Sequence, residues 1–313
     1  MRKLALLLLL CANSGLAQQG VIPADAKVSA LAQPRPAVRE ATVPLGYRYV
    51  ASYKDLYCAG FATHERFAPG NMVAGGRSSP EQTRFGIHEM VFLAGSGYEP
   101  GRKYAVIRDV RDRNRYEFYA GQNKALDRLG RLYAEIGQVT VTLIENGYAV
   151  ATVDQACEPL VPGDTIIPVR DKGTLVIEPR SAPFPVYGVP LSPRHGRIIM
   201  ASDFDYFVGT RKAVYINLGS KAGLGPGNYL RISRSYNPDS MPESTRISLS
   251  APQWDDTQRK PMKPSPAMMK HWPLRGVGEL VVISVTPDSA TCLVSMALED
   301  VQVGDYVAPE KER

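Results

Sequence analysis

Residues Gly137 to Pro168 align without a gap on Gly278 to Pro309 at a constant offset of 141. Nine of the 32 positions are identical: Gly137/Gly278, Val141/Val282, Ala149/Ala290, Val153/Val294, Ala156/Ala297, Glu158/Glu299, Gly163/Gly304, Asp164/Asp305 and Pro168/Pro309. Two further blocks keep the same order. Ala51-Ser52-Tyr53-Lys54-Asp55 aligns with Ala201-Ser202-Asp203-Phe204-Asp205, and Met90-Val91-Phe92-Leu93 with Gly101 aligns with Ala213-Val214-Tyr215-Ile216 with Gly227. A chain that repeats in this way is expected to fold as two copies of one unit, each large enough for its own core.

The repeated block has the pattern of β-structure in both copies. Val139, Val141 and Leu143 alternate with polar neighbours, Glu145-Asn146-Gly147 supplies a tight turn with φ > 0, and Ala149, Ala151 and Val153 return. In the second copy Leu280–Val285 and Thr291–Val294 flank Thr286-Pro287-Asp288-Ser289, a turn of different chemistry. The Gly-Asp pairs Gly163-Asp164 and Gly304-Asp305 lead into closing strands, Thr165–Pro168 and Tyr306–Pro309. Helical periodicity is confined to Lys124–Ile136. Short strands punctuated by turns predict a mainly β protein: two tandem, duplicated small β-barrel or sandwich units with one long insertion and little helix.

Around these units the boundaries follow composition. Arg2-Lys3, the apolar run Leu4–Ala12 and Ser14-Gly15-Leu16-Ala17 predict a signal peptide over residues 1–17. A lipoprotein site would need a small residue before Cys11, where Leu10 stands, and the apolar run is short for an uncleaved anchor. Residues 18–46, rich in Ala, Pro and Gln, are expected to be a disordered tether. Unit 1 covers residues 47–170, a Pro-rich linker 171–196, and unit 2 residues 197–309 with an insertion at about 237–273. Cleavage would place the protein in the periplasm or outside the cell, with no transmembrane span.

Removing Arg2 and Lys3 takes the net charge from +6 to +4, too little to point to nucleic acid. The run Arg108–Arg115 interleaves acids and bases and reads as a self-paired loop. Motifs that carry chemistry are scarce. His64, His88, His195 and His271 have no ligand spacing, so no metal and no cofactor are expected. The glycine-rich turn Gly219–Gly227 precedes a strand rather than the helix that a phosphate cradle needs. Asp203, Asp205, Asp255 and Asp256 lack the oxygen-rich pattern of a calcium loop and read as hydrated turns. No catalytic residue is assigned.

The Gly219-Ser220-Lys221-Ala222-Gly223-Leu224-Gly225-Pro226-Gly227 turn, with Gly278-Glu279-Leu280-Val281-Val282 and Val301-Gln302-Val303-Gly304-Asp305-Tyr306-Val307, resembles the C-terminal domain of flagellar assembly protein T. It is equally similar to bacterial envelope proteins that carry this β-unit, some of them joined to peptidoglycan-binding LysM modules. The resemblance covers the last third of the chain strongly and the first copy loosely. It implies a secreted, non-enzymatic β-domain used in envelope assembly or interaction, and assigns no functional residue. Leu160–Ile166 echoes the start of a LysM module, but the extended Ile167–Arg170 departs from it.

The expected function is therefore a non-enzymatic structural or interaction protein of the bacterial envelope, with an envelope protein or peptidoglycan or another glycan as partner. Glycan binding and a glycan-cleaving enzyme are the alternatives, the latter needing a carboxylate pair in a groove. Aromatic residues at Tyr47, Tyr49, Tyr53, Tyr57, Tyr206, Phe207 and Tyr215 suit either core or sugar stacking. His271 and Trp272 in the insertion are a candidate partner contact. Signal cleavage leaves Cys58, Cys157 and Cys292 in an oxidising compartment. Cys58 aligns with Val208 at an offset of 150, and Cys157 with Leu298 at 141, so both become apolar together in copy two. That predicts a Cys58–Cys157 disulfide, worth on the order of 4 to 5 kcal/mol for a loop of about 100 residues, and a buried free thiol at Cys292.

Overall fold

The computed structural model describes residues 48–67, 70–111, 116–237, 241, 243–251, 262 and 264–310. The signal segment, the tether and much of the insertion, with Asp255 and Asp256, lie outside the described residues.

An opening stretch holds β1 (Tyr49–Val50), α1 (Tyr53–Tyr57) and β2 (Phe61–Thr63). Then come β3 (Met72–Gly76), β4 (Met90–Ala94), β5 (Lys103–Val110), α2 (Gln122–Leu129), β6 (Arg131–Glu145), β7 (Tyr148–Ala156) and β8 (Thr165–Pro168). A connecting segment carries β9 (Val176–Ile177). The second unit has β10 (Gly196–Ala201), β11 (Phe207–Val208), β12 (Ala213–Ile216) and β13 (Tyr229–Arg234). Two short helices of the insertion follow, α3 (Glu243–Ser250) and α4 (Pro266–Lys270), then β14 (Arg275–Val285), β15 (Ala290–Ala297), β16 (Val301–Gln302) and β17 (Tyr306–Pro309).

Both units are closed antiparallel barrels with the same strand order. Barrel 1 runs β6-β5-β8-β3-β4-β7 and closes through β6–β7, and barrel 2 runs β14-β13-β17-β10-β12-β15. The correspondence extends to register. Gly137 faces Ala156, Val139 faces Val153 and Val141 faces Ala151, just as Gly278 faces Ala297, Leu280 faces Val294 and Val282 faces Cys292. Bulges recur at the same places, between Val73 and Gly75 in barrel 1 and between Ile198 and Met200 in barrel 2. Even a left-handed non-glycine residue is repeated, His88 at φ 69° and Arg211 at φ 65°, each donating its backbone N–H to the matching strand at Val153 or Val294.

The identities in the repeat serve this framework. Asp164 accepts two hydrogen bonds from Arg108 at 2.7 and 2.8 Å and one from the Val161 N–H. Asp305 accepts two from Arg234 at 2.8 and 2.7 Å and one from the Gln302 N–H. Each clamp ties the Gly-Asp turn to the neighbouring wall with charge-assisted bonds. Gly137 and Gly278 sit where strands cross closely: a Cβ there would lie 2.2 Å from the carbonyl oxygen of Gln155 or of Met296.

Three expectations need correction. Gly130, at φ +86°, ends α2, and Arg131–Ile136 is strand, not the continuation of a helix. Ala51–Asp55 is not the counterpart of Ala201–Asp205. The first forms α1, with a capping box between Ser52 and Asp55, whereas Ala201 ends a barrel strand. The true counterpart of Val208 is Phe85, since Val208 pairs with Val301 and Phe85 with Leu160, the same offset of 141. The Cys58–Cys157 disulfide is nevertheless present, with Cα atoms 5.6 Å apart, and Cys292 is free and buried. Finally, the Pro-rich connection packs on barrel 2. β9 pairs with β1, Arg180 forms buried ion pairs with Glu279 and Glu310, and the guanidinium groups of Arg180 and Arg231 lie 5.2 and 4.5 Å from the centre of the Phe184 ring.

Overpacking a strand crossing forces backbone shifts that cost about 1–3 kcal/mol. Gly137→Ala and Gly278→Ala should each lower the unfolding free energy by that amount, and by similar amounts, in urea denaturation; a substitution without effect would contradict the shared geometry.

Candidate functional site

Strand residues alternate between the two faces of a sheet, so each barrel has an outer wall built from the residues between its core positions. In barrel 1 the core side of β3, β4 and β7 is Val73, Val91, Leu93, Ala149, Ala151 and Val153, all at most 1 % exposed. The outward row that crosses the sheet is Leu143 beside Val150, Val150 beside Phe92 and Phe92 beside Gly75. Tyr148, Ala94 and Met72 lie alongside, with Met72 facing Ala94 across the strands. This wall is apolar and open: Tyr148 is 48 % exposed, Leu143 44 % and Met72 37 %. A shallow depression of 420 Å³ in it is lined by Ala74, Phe92, Glu145, Asn146, Tyr148 and Val150. The Asn146-Gly147 turn, with φ of 50° and 82°, holds the hairpin edge of the depression.

The matching wall of barrel 2 is closed. By register, Phe92 corresponds to Tyr215, Val150 to Thr291, Tyr148 to Ser289, Leu143 to Ser284 and Ala74 to Ile199. Tyr215, Thr291, Ser289 and Ile199 are at most 3 % exposed. They are covered by β2 with the residues before it, and by α2, whose Gln122 amide donates to the Ile199 carbonyl at 2.9 Å. The covering strand meets a row of hydroxyls. Tyr215 Oη donates to the Ala59 carbonyl at 2.9 Å, Thr291 Oγ1 to the Gly60 carbonyl at 3.0 Å and Ser289 Oγ to the Ala62 carbonyl at 3.0 Å. Burial among apolar groups pushes the Tyr215 hydroxyl pKa well up, which keeps it a donor. Gly60, at φ +69°, is the closest approach: a Cβ would fall 2.6 Å from Tyr215 Oη and 2.5 Å from the Tyr133 carbonyl oxygen.

Behind this covering segment lie its ties to barrel 1. The disulfide joins Cys58 to the end of β7, and Lys172 Nζ donates to the Leu56 carbonyl at 2.7 Å and pairs with Glu135 at 2.5 Å. Glu135 also accepts the Gly60 N–H at 3.3 Å. Both charges are buried, which raises the Glu135 pKa and lowers that of Lys172.

A cleft of 280 Å³ nearby is lined by Asp55, Glu135, Glu158 and Asp203 among others. Each of these acids has a cation: Arg211 at 3.2 Å for Asp55, Lys172 for Glu135, Arg108 at 3.1 Å for Glu158 and Lys212 for Asp203. Among the described residues no group of three or more His, Cys, Asp or Glu side chains is placed to hold a metal ion, and no helix is long and apolar enough to cross a membrane. Trp272 packs edge-on against Tyr236, ring centroids 5.3 Å apart, and is 42 % exposed, while the His271 backbone caps α4. These two residues lie in the insertion, and the open wall of barrel 1 is built from others. Sequence reading missed Phe92, Leu143, Tyr148 and Val150. Alternation from Val139 and Val141 places Leu143 on the core face; the bulge between Val141 and Leu143 turns it outward beside Val150, and the pattern carries no signal for that bulge.

No protein-family model matches the chain, and no curated protein is detectably similar to it in sequence.

Lys172→Met would leave the Glu135 carboxylate buried without its cation, a change that costs about 3–5 kcal/mol at neutral pH. Pairing it with Glu135→Gln should recover part of that loss. Without Lys172, the Glu135 pKa rises further above its ordinary 4.5. The folded state of Lys172→Met then keeps a proton that the unfolded chain has lost. The Glu135 contribution to its stability is fully present below about pH 4.5 and is lost as pH rises toward neutrality, so the deficit relative to wild type grows. Thermal melts of both proteins across that range measure this; a deficit that shrinks over the same rise would contradict it.

Proposed function

We propose that the protein is a non-enzymatic interaction protein of the bacterial cell envelope, and that the open wall of barrel 1 is its binding surface. The observation that carries this reading is the contrast between two matched walls. The one on barrel 2 is buried by the chain itself, whereas the one on barrel 1 presents Leu143, Tyr148, Val150, Phe92 and Met72 to solvent. An apolar surface spread over adjoining strands, with a polar turn at its rim, is the pattern of an interaction site. The disulfide fits an oxidising compartment. The similarity of the Gly219–Gly227 turn and the late strands to the C-terminal domain of flagellar assembly protein T fits a role in envelope assembly. The four acids around the junction cleft are each held by a cation, which favours a structural use of those carboxylates over general acid and base work.

A photoreactive amino acid placed at Tyr148 in living cells should give discrete protein adducts, while the same group at Phe207, exposed on the β11–β16 ribbon of the second unit, should give none. Purified peptidoglycan incubated with the protein should release no soluble fragments. Equal labelling at both positions, or fragment release, would contradict the reading.

A further inference from the structure

The two walls share strands, register and bulges, and the occupant of one of them is visible. On barrel 2 it is a polypeptide segment, Ala59–Thr63, lying over β12 and β15 with helix α2 beside it over β10. The same place on barrel 1 is formed by β4, β7 and β3. We propose that the open wall takes an extended apolar polypeptide segment of a partner protein, seated as Ala59–Thr63 is seated on barrel 2; this rests on the reading of that wall as the binding surface.

The chemistry of the exchanged positions selects the class of occupant. On barrel 2 the row Tyr215, Thr291, Ser289 offers hydroxyl donors that satisfy carbonyls of a segment made mostly of small residues, Ala59, Gly60 and Ala62. On barrel 1 the corresponding row is Phe92, Val150, Tyr148, so a single hydroxyl remains, and Ser284 is matched by Leu143. A wall with fewer donors and more methyl and phenyl groups recognises apolar side chains, projecting at alternate positions of a strand. A glycan, whose hydroxyls need partners throughout, would find only Tyr148, Glu145 and Asn146 at one rim of the depression. A further copy of this chain docking as barrel 2 does is unavailable, because Ala59–Thr63 is already buried against its own second barrel.

A displayed random peptide library, panned on the immobilised full chain, should yield peptides with apolar residues at alternate positions. Synthesised singly, they should bind the wild type in the micromolar range and lose at least about tenfold in affinity with Phe92→Asp and with Tyr148→Asp. Tyr148 is at an exposed hairpin edge, so its variant tests the wall if Phe92→Asp fails to fold. Phe207→Asp should leave binding unchanged. Three results would overturn the proposal: no peptide that distinguishes wild type from Tyr148→Asp; wall-dependent binding of soluble peptidoglycan fragments; or a concentration-dependent dimer in sedimentation that Tyr148→Asp abolishes. The last two keep the wall as a binding surface and change its occupant. Peptide, glycan and self-association all failing at the wall would remove the underlying reading as well.

Discussion

The arrangement of the two barrels depends on how one short strand is buried. Residues Ala59 to Thr63 pass between them, and their backbone carbonyls leave water. A buried carbonyl without a partner costs free energy comparable to a lost hydrogen bond. Barrel 2 meets that demand with hydroxyls from Tyr215, Thr291 and Ser289, and barrel 1 holds the same segment through the Glu135–Lys172 pair and the Cys58–Cys157 bridge. Gly60 is the one residue type that fits between Tyr133 and Tyr215 at its conformation.

From this constraint the divergence of the two copies can be followed residue by residue. Core positions kept their size and face, as Val141 and Val282 or Val153 and Val294 do. Framework positions kept their identity, as in the Arg108–Asp164 and Arg234–Asp305 clamps. The outer walls changed instead. Where the chain covers its own wall, Tyr215, Thr291 and Ser289 are hydroxyl donors to carbonyls, and where it does not the matching residues are mostly apolar. Solvent alone favours polar residues on such a face, and the apolar wall of barrel 1 departs from that rule.

Much of the fold was legible in the sequence because its signals are local. The alternation Val139, Val141, the Asn146-Gly147 turn and the ungapped repeat mark a hairpin without knowledge of the rest, although its register is shifted by bulges between Gln138 and Val139 and between Val141 and Leu143 that the pattern does not record. The end of α2 was misread because Leu132, Tyr133 and Ile136 continue a helical spacing past Gly130, and pairing of that segment with β2 decides otherwise. The disulfide was identified correctly although the Cys58 half of its alignment does not hold; Cys58 belongs to the opening stretch before barrel 1. The open wall was not legible. Whether Phe92 or Tyr215 is exposed depends on a segment whose bonds to the barrel 2 wall span 156 residues for Tyr215 to Ala59 and 231 for Thr291 to Gly60. No periodicity in the strand itself records that contact.

One wall is closed by the chain itself and its duplicate is open. Carbene footprinting of the intact protein, read by mass spectrometry at residue level, measures both walls at once. Phe92, Tyr148 and Val150 should be labelled strongly, and Tyr215, Ser289 and Thr291 should stay protected. Equal labelling of the two sets would contradict the account.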